Sequence, residues 1–267
     1  MTLFQAIVLG VIQGLAELLP ISSSAHLALA PYFFGWTDPG LAFDVALHAG
    51  TLLALSWYFR DEWRRMFISA WRIATTRRVT GLDDWMLVSL VCATIPAAVA
   101  GLLIEDYAET VLRSPMIMGF TLIVMGIVLW AVDRWSPRDR PLTDLTLRDA
   151  VFIGFAQILA LVPGVSRSGS TITAGRLLRL DRPSAARFSF LMSMPITLAA
   201  VVLKAPDAIR AEGFSTPLLA GVLAAALSSL LAITVLLRYI SRHSFGIFAV
   251  YRVILGFVVF ATIASRV

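Results

Sequence analysis

The chain has little charge, one cysteine and one lysine. Of its 267 residues only 15% are charged and 58% are hydrophobic, whereas soluble domains are nearer a quarter charged. A soluble domain of this composition lacks the charged side chains to cover its surface. Cys92 stands alone, so an internal disulfide framework is excluded. Glycine (17) and proline (12) are at ordinary levels, which excludes collagen-like and low-complexity disordered classes. Lys204 is the sole lysine, so the net charge of +5 is carried almost wholly by arginine. The sequence pI is about 10.0. In an apolar chain such arginines mark cytoplasmic loops and lipid headgroup contacts, and nucleic acid is not an expected partner. Met1-Thr2-Leu3-Phe4 has neither a basic n-region nor a small-residue cleavage site near a short apolar core, so no removable signal peptide is expected. What remains is an all-α polytopic membrane protein, as the mean hydropathy of +0.83 also indicates.

A spanning helix needs about 20 apolar residues. Six segments qualify: 41–59, 85–104, 116–132, 183–203, 217–237 and 247–265. Two further stretches are interrupted, at Pro20-Ile21-Ser22-Ser23-Ser24 and at Pro163-Gly164-Val165-Ser166-Arg167-Ser168-Gly169-Ser170. Broken backbone at membrane depth is tolerated only where it lines a cavity or is buried in protein. The expectation is therefore six transmembrane helices plus two re-entrant helix–loop–helix hairpins, at about 3–38 and 150–180, within one integral membrane domain of residues 1–267.

Arginine placement gives the orientation. The arginine-rich 60–78 loop is expected inside, and the loop with Glu105, Asp106 and Glu109 outside. Segments 133–149, 179–182 and 238–243 then lie inside, and both termini outside. The hairpins also match each other in one constant register. Gly10, Gln13, Leu15, Ala16, Ser22 and Ser24 correspond to Gly154, Gln157, Leu159, Ala160, Ser166 and Ser168. Since one hairpin enters from outside and the other from inside, the halves, about 1–132 and 145–267, read as an inverted-topology repeat. Broken hairpins in such folds meet near the midplane and build one site.

Ionisable groups within membrane segments are costly and are functional hypotheses by default. Gln13 and Glu17, four residues apart, share one helix face. Ser22, Ser23, Ser24 and His26 follow at the break. The second break offers Ser166, Arg167, Ser168, Ser170 and Thr171 around Gly164 and Gly169. Glycine permits close backbone approach, successive N–H groups before a half-helix form an anion nest, and arginine suits phosphate oxygens bidentately. One loop supplies base, hydroxyl and imidazole, and the other cation and nest. Their meeting suits phosphoryl transfer. Gln13, Ser22, Ser24, Gly164, Ser166, Ser168 and Thr171 are the candidate substrate-binding residues.

Weaker signals come from Asp44 and His48, four residues apart and able to face the site, and from Gln157, the repeat mate of Gln13. Arg252 is expected to pair with a carboxylate or to snorkel. The small residues of 97–101 and 221–226 are expected to pack helices. Trp57, Trp63, Trp85, Trp130 and Trp135 sit near proposed helix ends, as an aromatic belt would. A lipid tail would lie between helices.

Gln13-x-x-x-Glu17 with Leu19-Pro20-Ile21-Ser22-Ser23-Ser24-Ala25-His26 resembles the (E/Q)xxxE and Pro-x-Ser-Ser-x-x-His signature of bacterial undecaprenyl pyrophosphate phosphatases of the bacitracin-resistance type. Pro163-Gly164-Val165-Ser166-Arg167-Ser168-Gly169-Ser170-Thr171 is similar to that family's Pro-Gly-x-Ser-Arg-Ser-x-x-Thr motif, and the resemblance extends to Tyr251-Arg252. It implies a multi-pass enzyme of the bacterial inner membrane with its site facing the periplasm. The substrate would be a polyprenyl diphosphate lipid. Loss of its terminal phosphate would give the monophosphate carrier reused in peptidoglycan synthesis. The resemblance further implies a divalent cation, Mg or Ca, and catalytic roles for Glu17, Ser23, His26 and Arg167. Glu17 would be a metal ligand, with Gln13 a weaker one because some members have glutamate there. Monomer and homodimer are both left open.

Three mechanisms fit these residues. Ser23 attacks phosphorus with His26 or Glu17 taking its proton, or His26 is the nucleophile, or Glu17 activates a water. The competing class is a transporter or flippase of a phosphorylated lipid or small anion, in which Arg167 binds the headgroup without cleavage.

Overall fold

The computed structural model describes residues 1–110 and 112–266, without the side chains of 104–110, 205, 207–209, 211 and 212. The acidic cluster Glu105, Asp106 and Glu109 thus lies outside the described residues. The described chain forms eleven α-helices and no strand. They are α1 (Leu3–Leu18), α2 (Ser23–Phe34), α3 (Leu41–Tyr58), α4 (Arg60–Thr76), α5 (Leu82–Thr110), α6 (Pro115–Trp135), α7 (Leu147–Ile158), α8 (Arg167–Leu177), α9 (Arg182–Glu212), α10 (Thr216–Ile240) and α11 (Gly246–Ser265). Six segments are long and apolar enough to cross a membrane: α3, Leu82–Leu103 of α5, α6, Arg182–Lys204 of α9, α10 and α11. These are the six expected spans, shifted by a few residues at their ends.

The segment 60–78, expected as a loop, is largely helical. Asp61 and Glu62 lie in the first turn of α4, where the helix dipole favours negative charge. Its arginines alternate with Phe67, Ile68 and Trp71, which are all exposed. Arginine counting located this segment but missed its amphipathic period.

The two broken stretches fold alike. Thr2 opens α1 and Thr146 opens α7, each through a reciprocal capping box, with Gln5 and Asp149 respectively. Each pair doubles back. Phe4 at the start of α1 meets Trp36 beyond the end of α2, ring centroids 6.4 Å apart. Arg140 bonds Asp149 in the first turn of α7 (2.6 Å) and the Leu178 carbonyl at the end of α8 (2.9 Å).

Glycine governs how closely these pairs approach their neighbours. A Cβ on Gly10 would stand 2.2 Å from the Gly221 carbonyl oxygen of α10, and one on Gly154 only 2.4 Å from the Ala93 oxygen of α5. The 221–226 stretch is thus the packing site expected of it. The 97–101 stretch divides: Ala97 is buried as a packing residue would be, whereas a Cβ on Gly101 would meet nothing nearer than Leu161 Cδ2 at 3.9 Å. Ala97, Ala98 and Gly101 also line a cavity.

Asp133, near the end of α6, is buried and accepts from Arg176 Nε (3.1 Å), Arg182 Nη2 (2.8 Å) and the Phe245 N–H (3.0 Å). It ties α6, α8, α9 and the start of α11 at one end of the bundle. Arg187 of α9 bonds Glu62 of α4 at that end (2.5 Å). At the opposite ends of these helices, Arg113 bonds Asp44 (2.9 Å) and Arg266 bonds the Tyr32 carbonyl (2.9 Å).

Candidate functional site

Both breaks turn on a serine in the left-handed region, Ser22 at φ 77° and Ser166 at φ 73°. Non-glycine residues rarely adopt this conformation. Here each serine is also an N-cap, accepting from Ala25 N (3.4 Å) and Gly169 N (3.0 Å). Ser24 and Ser168 lie 3.2 Å from these capping hydroxyls. Ser168 donates to the Leu19 carbonyl (3.1 Å), which joins the two breaks. Thr171 bonds the Arg167 carbonyl (2.8 Å) and Ser189 (2.7 Å). Gly164, at φ +90°, lies where a Cβ would be 2.0 Å from Thr121 Oγ1. Ser22, Ser168, Thr171 and Gly164, expected to bind substrate, therefore build the loops and do not line the cavity.

Arg252 holds the two breaks together. Its guanidinium is fully buried and donates to the carbonyls of Pro20 (3.1 Å), Gly164 (2.9 Å) and Val165 (2.8 Å). It neither meets a carboxylate nor snorkels, because the carbonyls freed by both helix interruptions need a donor.

Glu17 is the centre of the polar cluster and is only 5% exposed. One oxygen contacts Arg167 Nη2. The other contacts the Ser23 hydroxyl, accepts from Gln13 Nε2 (3.1 Å) and lies 3.3 Å from His48 Nε2. The hydroxyl of the first break and the guanidinium of the second, expected from the two loops, meet on the Glu17 carboxylate. A cavity of about 460 Å³ opens there, lined by Glu17, Ser23, Ser24, His48, Ser166 and Arg167, with Gln157 beside them. It continues along Ala97, Ala98 and Gly101 of α5 and Ile196, Ala199 and Ala200 of α9. Arg167 Nη1 and both amide atoms of Gln157 are buried without a protein partner.

His26 is not brought to this cavity. Its Nδ1 faces the Ser22 carbonyl at 2.7 Å, and since a carbonyl only accepts, Nδ1 carries the hydrogen. Its Nε2 meets Tyr251 OH at 2.7 Å, with the rings stacked. His48 takes the place beside Glu17, donating from Nδ1 to the Asp44 carbonyl (2.7 Å). The spacing of Asp44 and His48 was the only sequence signal for it.

The side chains present do not by themselves fit a divalent-cation site in the absence of substrate. Mg²⁺ and Ca²⁺ take six or more oxygens, some of which waters and substrate phosphates supply. Both Glu17 oxygens are already engaged, one by a guanidinium that would repel a cation. The Gln13 oxygen is buried and unpartnered, but a single amide oxygen does not complete a shell. Among the described residues no group of three or more His, Cys, Asp or Glu converges.

The fold and site together define an all-helical membrane protein with a pocket lined by a carboxylate, hydroxyls and a guanidinium that continues into an apolar groove. The family model described as bacitracin resistance protein BacA matches residues 6–258. A protein of Gemmatimonas aurantiaca named undecaprenyl-diphosphatase is 71% identical over 266 residues, covering 100% of both chains. Proteins of the same name from Pelotomaculum thermopropionicum and Moorella thermoacetica are each 47% identical over 266 residues, covering 100% of this chain and 98% and 100% of theirs. The chain belongs to the bacitracin resistance protein BacA family.

Proposed function

We propose that this protein is an undecaprenyl-diphosphatase, a hydrolase that removes the terminal phosphate of undecaprenyl diphosphate and returns the monophosphate carrier to peptidoglycan synthesis. The observation that carries this reading is the Ser23 hydroxyl on the Glu17 carboxylate beside Arg167, in a cavity that continues into an apolar groove. The 71% identical relative bears that name.

Glu17 accepts the Ser23 proton as Oγ attacks the terminal phosphorus. The phosphoanhydride bond breaks, and undecaprenyl monophosphate leaves with the proton from Glu17, which returns to its carboxylate. Arg167 keeps Nη2 on Glu17 and offers Nη1 to the phosphoryl oxygens, at the N-terminus of α8 where the helix dipole also favours an anion. Water then attacks the phosphoserine as the Glu17 carboxylate takes its proton and passes it to the departing Ser23 Oγ, which releases phosphate and restores the serine. His26 acts through the backbone, holding the Ser22 carbonyl and so the conformation of the first break. The isoprenoid tail lies along α5 and α9.

The hairpins are re-entrant and the halves inverted, with the site facing the periplasm of the inner membrane. Packing supports the exchange of halves: α1 lies on α10 as α7 lies on α5, α10 on α3 as α5 on α9, while α3 meets α9 and α6 meets α11. This is the pattern a two-fold exchange of halves leaves. The amphipathic α4 lies at the cytoplasmic interface with Phe67, Ile68 and Trp71 toward lipid.

The test is phosphate release from undecaprenyl diphosphate by the detergent-purified full chain, beside Arg167→Ala. Release by the wild type is expected, with a loss of about 10²- to 10³-fold in the variant, as for an oxyanion donor. Folded protein that binds the lipid and releases no phosphate would favour transport instead.

A further inference from the structure

We infer that Gln157 is a substrate-contacting residue, binding the phosphoryl head of the diphosphate together with Arg167. The proposal rests on the phosphatase reading for the identity of the ligand and on the cavity for its place. Gln157 is 2% exposed, lines the cavity, and has no protein partner for either Nε2 or Oε1. Buried amides are rarely left so, because each unsatisfied polar atom forfeits its hydration.

Comparison with its repeat mate gives the reason. Gln13 donates its Nε2 to Glu17, one helical turn further on. The residue one turn beyond Gln157 is Leu161, which offers nothing to an amide. The second half of the molecule keeps the glutamine and lacks its acceptor. The neighbouring source of an acceptor is the cavity, which Arg167 also lines and whose Nη1 is likewise buried without a protein partner. Two buried donors at one cavity fit the oxygens of a phosphoryl group. The amide also has an acceptor, so Oε1 can hold a water hydrogen beside the phosphorus. An amide that orients a hydrolytic water is an established device in phosphoryl transfer.

The experiment compares wild type, Gln157→Leu and Gln157→Glu in phosphate release from undecaprenyl diphosphate, in thermal unfolding, and in binding of farnesyl methylenediphosphonate, which is not hydrolysed. Leucine keeps the volume and removes the orphaned amide, so the unfolding temperature is expected to hold or rise. In that same variant kcat/KM and analogue affinity are expected to fall about 10- to 100-fold, the cost of one or two desolvated hydrogen bonds. Glutamate, which adds negative charge, is expected to weaken analogue binding further. Wild-type kcat/KM and affinity in Gln157→Leu would overturn the proposal. So would a fall in unfolding temperature that accounts for the whole loss of activity. Should the wild type bind the analogue but release no phosphate, the phosphatase reading fails alone, and weaker binding by Gln157→Leu still places the glutamine on the phosphoryl head.

Discussion

Glu17 shows how one residue's chemistry depends on its neighbours. Its carboxylate is shared by a guanidinium, a hydroxyl, an amide and an imidazole. Glu17→Gln keeps the shape but removes the base. We expect phosphate release to fall by about 10²- to 10⁴-fold, the usual contribution of a general base. Measurement of kcat for the folded variant checks this, and a loss under tenfold would return the role to another group. Because Glu17 is fully engaged, titration of Mg²⁺ or Ca²⁺ into diphosphate-free protein is expected to give no saturable heat. A stoichiometric site in that calorimetry would restore Glu17 as a metal ligand. Arg252 makes a different kind of prediction. Three buried carbonyls depend on its planar fork, which lysine cannot reproduce. Arg252→Lys should cost about 1–3 kcal/mol for each carbonyl left unsatisfied, read as a lower unfolding temperature with parallel loss of activity.

At the level of elements, the broken pairs are held by caps at their entries and by glycine along their flanks. Asp149 lies in the first turn of α7. Burial raises its pKa, but the bonds from Arg140 and from the Thr146 N–H outweigh burial and hold the carboxyl below its ordinary value. A carboxylate with a depressed folded pKa stabilises the protein above its unfolded pKa, about 4, and loses that contribution as pH falls through the folded value. Asp149→Asn should therefore lower the unfolding temperature at pH 7 and flatten its decline below about pH 4. Thermal scans across that range decide it, and parallel curves would count against the role. On the flank of α1, Gly10→Val drives a Cβ into the Gly221 carbonyl, only 2.2 Å away. Overpacking of about 1–3 kcal/mol or more follows, seen as a lower unfolding temperature.

For the whole molecule, contacts sort by side. Segments assigned inside by arginine counting touch each other and the adjoining end of α9: Asp139 pairs with Arg179, lowering the pKa of the acid and raising that of the base, and Glu62 pairs with Arg187 of α9. With Cys92 replaced by serine, a cysteine at position 139 or 179 should resist a membrane-impermeant maleimide in intact cells. A cysteine at position 36 should react. Labelling of all three from one face would refute the inverted arrangement.

Composition and local pattern alone determined the membrane class, the six spans, the two interruptions and the residue types at the site. These follow from the length of a helix that crosses a bilayer and from the cost of polar backbone within it, and both are local. The pairing of Gln13, Ser22, Ser24 with Gln157, Ser166 and Ser168 was likewise readable from register. Tertiary structure alone decided which polar group meets which. His48 reached Glu17 while His26 turned to Tyr251, the break serines became caps, and Arg252 found carbonyls from both breaks. A buried polar group is satisfied by whatever distant segment packing brings near, and spacing along the chain carries no record of that.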